Sequence, residues 1–267
     1  MNINVTDINE EMMNKLRYRV LEVNSLSGEG HILSSLSALE MLISIVANQS
    51  ENFDKDYPWD HPFILSKGHA ALGFYVVLEF FGYIKEEELN NFAKYDSNLG
   101  GHIDSSKSSL FYFSTGSLGH GLPVAIGVAY MKKYSGDEKS PIFVICGDGE
   151  FMEGSIWESL QFASRMNLTN LRILVDCNNS HTSQGQNVNY LENVIKNIGF
   201  DVSVINGHDT GMIIDKISII SPSKPQVFLC ETKLGHGIKF VEGKKEWHRR
   251  TISSLDLQQV KNQLGVK

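Results

Sequence analysis

Cysteine is scarce in this chain. Its 267 residues include Cys146, Cys177 and Cys230 only, an odd number with no CxxC spacing. That excludes a disulfide framework and suits a reducing compartment. Positive charge is short as well: 24 Lys+Arg face 31 Asp+Glu, a net charge of −7. A nucleic-acid binder with a basic face is therefore disfavoured, and any anion site must come from local chemistry. No apolar stretch reads as long enough to span a membrane. The N-terminal MNINVTDINEEMMNKLRYRV lacks a basic region followed by an apolar run, so no signal peptide is expected, and the expected location is cytoplasmic. Internal repeats, low-complexity segments, a P-loop, HExxH and a GxGxxG after the first strand are all missing. What remains is 42% hydrophobic and 21% charged, the balance of a folded domain, at a length suited to one large α/β unit.

The hydrophobic pattern predicts a first helix capped at Asp7 or Asn9 and ending near Leu26. After the polar break SGEGH, Leu36, Leu39, Ile43 and Val46 share one face of a second helix. A loop over 48–61 leads to the short buried strand FILS at 63–66, which runs into a largely apolar helix stopped by Gly82. KEEELNNFAKY and PVAIGVAYMKKY each read as a further helix. Three apolar strands follow: IFVIC ends in GDGE, LRILVDC in NNSHTSQG, and VFLCETK in LGHG. Helices are expected over 155–166, 190–198 and 211–219, a strand over 202–205, and a polar helical tail from Ser253. Continuous apolar strands alternating with helices predict an α/β fold, a parallel sheet covered by helices on both faces. Ligands of such sheets collect at the carboxyl ends of the strands, where the three glycine-bearing motifs sit.

Asp148 follows a buried strand between Gly147 and Gly149, and its carboxylate suits a hard cation such as Mg²⁺. Asn178, at the end of the next long strand, offers an amide oxygen, and the two converge if those strands are neighbours. Magnesium would then share its remaining oxygens with a phosphate-bearing ligand held by glycine-rich turns. Gly-Asp-Gly by itself is as readily a plain turn. Six of nine histidines adjoin a glycine, among them His31, His69, His102, His120 and His236. As a group they suggest a polar site that handles protons.

The motifs GDGEFMEGSIWE and LVDCNNSHTSQG, with GEGHI, LSKGHA, GGHID, TGSLGHGL and a C-terminal WH, together resemble the transketolase family. They stand in the family's order from Gly30 to His248. The resemblance implies a thiamine-diphosphate-binding fold of the diphosphate-binding type over 1–267, with thiamine diphosphate and Mg²⁺ as cofactors. It implies that Asp148, Asn178 and the Ser180 carbonyl bind the metal, and that Gly147, Gly149 and Glu150 belong to the diphosphate turn. His69 and His248 match histidines at the diphosphate and reacting oxygens, and His31 and His102 match donor-sugar ligands. Gly116 and Leu118 match residues beside the aminopyrimidine, Leu234 an apolar contact to the thiazolium, and Glu153 a carboxylate at the dimer interface.

The chain resembles only the first part of a transketolase. The pyrimidine-binding and C-terminal domains are expected on a partner chain, as in two-polypeptide transketolases that form a heterotetramer. The apolar helices over 70–81 and 123–131 are candidates for that interface, or ordinary core helices. Two features depart from the family pattern: Arg249-Arg250 follow the WH where relatives often have Gly-Lys, and His120 stands where Gln is usual. The expected function is transfer of a ketol unit from a ketose donor to an aldose acceptor. A related thiamine-dependent carboligase or synthase, a non-catalytic thiamine-diphosphate-binding module and a Mg²⁺-dependent hydrolase are the alternatives.

Overall fold

The structure, a computed structural model, describes residues 8–49, 62–179, 187–248 and 250–266. Helix α1 (Glu10–Ser27) starts at Asn9, whose side chain accepts from the Met12 amide at 3.0 Å, and ends at Gly28 in the left-handed region. The turn to α2 (Ile32–Gln49) includes Gly30 at φ +105°, where a Cβ would meet Leu72 Cδ2 at 2.9 Å. Only glycine suits that combination of backbone angle and close packing.

Helix α2 differs from the one-faced helix expected. Its residues 32–47 are all buried, because it packs against α1, the helices α3 (Ala71–Phe80) and α8 (Thr210–Ser218), and strand β3 (Leu171–Cys177). With 18 residues and a mean hydropathy of 1.4 it is also long and apolar enough for a membrane span, contrary to the sequence reading; here it is a core helix. The segment read as KEEELNNFAKY forms only the single turn α4 (Glu86–Leu89). Buried Phe92 draws the chain inward, and Ala93, at φ 56°, donates to the Leu99 carbonyl at 2.8 Å, which closes a loop in place of a helix.

Five parallel strands form one sheet in the order β1 (Phe63–Leu65), β2 (Ile142–Gly147), β3, β5 (Gln226–Glu231), β4 (Asp201–Asn206). Alternation along each strand builds two cores. Phe143, Ile145, Leu174 and Phe228 face α1, α2, α3, α8 and the C-terminal α9 (Ser254–Leu264). Ile142, Val144, Ile173, Val175 and Leu229 face α5 (Gly121–Tyr134), α6 (Gly154–Arg165) and α7 (Val188–Ile198). Hence the strands read as continuous apolar runs although each residue serves one layer.

The register fixes the site. Gly147 pairs with Asp176 across β2 and β3, so Asp148 leaves β2 beside the end of β3, one residue short of the level of Asn178. On the other flank Gly121, at the start of α5, packs so tightly on the end of β1 that a Cβ would stand 2.5 Å from Ser66 Cβ.

Candidate active site

A cleft of about 700 Å³ opens over the carboxyl ends of the strands, within the size range of small-molecule sites. Four chain segments bring histidines to it: the α1–α2 turn (His31), the 3-10 turn Gly68–Ala70 after β1 (His69), the loop before α5 (His102), and the stretch after the 3-10 turn Lys245–Trp247 (His248). The His31 ring lies 5.9 Å from those of His69 and His102 and 5.1 Å from that of His248. Burial, together with nearby Lys67 and the other three histidines, lowers the His69 pKa to about 2, so its imidazole is neutral at physiological pH. A neutral ring can both donate and accept a proton. Gly116, Leu118 and Leu234 also line the cleft, as do exposed Lys245 and Arg250.

Asn24, at the end of α1, ties two edges of this cleft. Its Nδ2 donates to the Glu29 carbonyl at 2.9 Å, and its Oδ1 accepts from the Ile252 amide at 2.9 Å. The turn carrying His31 and the segment after Arg250 are thereby held together.

A smaller pocket adjoins the floor of the cleft, lined by Lys67, His69, Leu118, Gly147, Asp148, Gly149, Glu150 and Asn178. The Asp148 oxygens accept from the amides of Gly149 at 2.8 Å and Asn179 at 2.9 Å. Asn178 donates through Nδ2 to Ser37 Oγ at 3.2 Å and to Asp176 Oδ2 at 3.1 Å, which fixes its carboxamide. Burial and neighbouring Asp176 raise the pKa of Asp148 despite nearby Lys67. A buried carboxylate pushed up in this way is a place where a further cation is stabilising. The oxygen donor set and the electrostatics therefore fit a divalent cation such as Mg²⁺, and the cleft beside it fits a phosphate-bearing cofactor. Ser180 lies outside the described residues.

Glu150 lines the pocket, but its oxygens already accept from Ser66 Oγ, the Gly119 amide at 3.0 Å and the Gly147 amide at 2.8 Å. It ties the ends of β1 and β2 to the loop before α5. Glu153 is exposed at the start of α6, outside both pockets and against Gly119.

Sequence reasoning missed the support beneath the floor. The Lys67 ammonium is sealed in the core, paired with Asp176 and 3.2 Å from Ser37 Oγ. Asp176 also accepts from Thr232 Oγ1 and Asn178, so β1, α2, β3 and the end of β5 meet on one carboxylate. The available signal was a lysine and an aspartate at the carboxyl ends of otherwise apolar strands, where a buried charge needs a partner.

The fold and site define a class: a parallel α/β protein that binds a divalent cation and a phosphorylated cofactor at its strand ends. Comparison with known proteins narrows it. The family model for the thiamine-diphosphate-binding domain of transketolase matches residues 8–267, and the chain belongs to that family. It is 38% identical over 238 residues to one of the named subunits of apulose-4-phosphate transketolase from Actinobacillus succinogenes, covering 86% of each chain. Against human transketolase it is 30% identical over 257 residues, 94% of this chain but only 41% of that one. The crystal structure of Campylobacter jejuni transketolase superposes with a TM-score of 0.85 at 26% identity, over 99% of this chain and 43% of that one. The chain thus spans about two fifths of a full-length transketolase and most of the apulose-4-phosphate transketolase subunit, and the family domain that it matches binds thiamine diphosphate.

Proposed function

We propose that this chain is the cofactor-binding component of a two-chain transketolase. It works with a partner chain that carries the pyrimidine-binding and C-terminal domains, and it transfers a ketol unit from a ketose donor to an aldose acceptor. The observation that carries this reading is the convergence of four histidines on one cleft directly beside the Asp148–Asn178 floor. A pocket that only stored the cofactor would have no use for so many proton-handling groups at its open end. The 86% mutual coverage with a relative named as a subunit supports the two-chain arrangement.

When bound, thiamine diphosphate supplies an electron sink for the carbanion left by cleavage beside a ketose carbonyl. The residues of this chain do the rest. Asp148 and Asn178 would hold the cation, with Ser180 as the further ligand that the family resemblance implies, and Gly147 and Gly149 would let the diphosphate come close to the backbone. Leu118, Gly116 and Leu234, which line the cleft, would exclude water from the cofactor's rings. Neutral His69, with His31, His102 and His248, binds the hydroxyl and carbonyl oxygens of the sugar and moves their protons. Substrates are sugars or sugar phosphates, and the chain works as a soluble cytoplasmic protein.

Of the two helices considered for the interface, α3 is a core helix, with residues 71–78 all buried. Helix α5 keeps an open face: Gly127, Tyr130, Met131 and Tyr134 are exposed beside Phe162 of α6. That face and Glu153 make up the surface assigned to assembly.

The test is purification of the tagged chain from its own source, with native mass and bound thiamine diphosphate read together. A second polypeptide together with cofactor, and ketol transfer by the complex, is the expected outcome. A chain that emerges alone and takes up no cofactor in added Mg²⁺ would overturn the proposal.

A further inference from the structure

Two histidines stand apart from the cleft. His208, after β4, and His236, after β5, stack with ring centroids 3.5 Å apart and planes 16° from parallel. Both approach Glu40 of α2, and the three side chains bring ligand atoms within 4.8 Å of one another. The composition invites a metal, but the hydrogen bonds at His208 assign its nitrogens elsewhere. Nε2 accepts from the Lys233 amide at 2.8 Å. The ring proton is therefore on Nδ1, which donates to Glu40 Oε2 at 3.1 Å. The other Glu40 oxygen accepts from the buried Arg17 guanidinium at 2.6 Å. Charge is balanced within the cluster without an ion, and a metal on His208 would have to displace one of these bonds.

The amide held by His208 belongs to the residue before Leu234, which lines the cofactor cleft. The same turn is pinned further on, where the Gly235 amide donates to the Leu33 carbonyl of α2 at 3.1 Å and the Gly243 amide to the Leu234 carbonyl at 2.8 Å. We infer that His208 is a positioning residue: oriented by Glu40, it holds the Lys233 amide and so sets where Leu234 meets the cofactor. The placement of Leu234 against the cofactor rests on the function proposed above; the hold of His208 on the turn does not.

Two substitutions separate the halves of the relay. His208→Gln puts an acceptor where Nε2 stands and abandons Glu40. His208→Asn puts an amide donor where Nδ1 stands and is too short for Lys233. Amide hydrogen exchange of the free chain, its melting temperature and its affinity for thiamine diphosphate with Mg²⁺ are measured for both. One net hydrogen bond corresponds to about fivefold to tenfold in an equilibrium. We expect His208→Asn to speed exchange at residues 233–237 about tenfold and to weaken cofactor binding about fivefold. His208→Gln should stay within about twofold of wild type in both, and the two melting temperatures should agree within a few degrees.

Equal effects of the two variants, the reverse order, or faster exchange spread evenly over the chain would overturn the inference. If His208→Asn fails to fold, His208→Gln decides: a protected Lys233 amide supports the role and an exposed one refutes it. If wild type binds no thiamine diphosphate, the proposed function fails, while the exchange data still judge the hold on the turn.

Discussion

The floor and the rim of the cleft solve different problems. The floor concentrates formal charge: Asp148 and Asp176 are both buried, Lys67 is sealed against Asp176, and Asn178 donates to Asp176. The rim is made of imidazoles from four distant parts of the chain, with His69 held neutral by burial and by Lys67. A floor of this kind suits a cation and a diphosphate held in one fixed place. A rim of this kind suits hydroxyls whose protons must move. Lys67 serves both: it offsets Asp176 below and lowers the pKa of His69 above.

The largest expected effect comes from removing that shared cation. Lys67→Met leaves Asp176 buried beside Asp148 with one neutralising partner gone. Loss of one member of a buried ion pair costs about 3–5 kcal/mol, so the urea midpoint of the metal-free chain should fall steeply. A shift worth less than about 1 kcal/mol would show that the floor is not held together by this pair.

Asp148→Ala acts on the floor alone. Mg²⁺-dependent retention of thiamine diphosphate should weaken by at least about 100-fold, more than loss of an outer-shell partner costs a metal site. The metal-free fold should survive, because the repulsion between Asp148 and Asp176 goes with the side chain. Unchanged cofactor affinity in equilibrium dialysis would remove Asp148 from the metal site. His31→Ala acts on the rim alone. In the assembled enzyme it should slow turnover by about 10²-fold or more while cofactor affinity stays near wild type. Cofactor loss instead would move His31 from rim to floor.

The smallest effect is a slope. The His69 pKa is about 2 in the folded chain and about 6.5 when unfolded. Between those values the unfolded chain binds the extra proton, so stability is full above about pH 6.5 and falls as pH drops. From pH 6.5 to 5 this group contributes about 1.7 kcal/mol of loss, with the slope approaching about 1.4 kcal/mol per pH unit at the acid end. His69→Gln should flatten the stability profile over that window in chemical unfolding at fixed ionic strength. An unchanged profile would mean that His69 is not held neutral by the fold.

Much of this was legible in the sequence. The strand ends carried glycine, aspartate and asparagine where an α/β sheet binds ligands, and the register between Gly147 and Asp176 puts Asp148 within one residue of the level of Asn178. The histidines were visible through their glycines, although only geometry separated His31, His69 and His102 from His236, which pairs with His208. What stayed hidden was tertiary. A lysine in LSKGHA looks like a surface charge until Asp176 is seen beneath it. Glu40 interrupts an otherwise apolar helix, and only the fold shows Arg17 and His208 closing on it. Helix α2 showed one apolar stripe by periodicity, but its serines are buried as well, which no period predicts. KEEELNNFAKY has good helix formers, and the burial of Phe92 overrides them.

The turn between α1 and α2 also sets a tolerance map. At Gly30 any side chain would collide with Leu72 and Phe92 and adopt a disfavoured backbone angle, and the next residue is His31. At Gly82 the backbone angle is positive too, but nothing lies within 4 Å. A saturation library scored for abundance should therefore leave position 30 almost blank and fill position 82 with asparagine and aspartate, residues that accept the left-handed region. Such a scan would read the address of the first cleft histidine as a steric constraint written one residue before it.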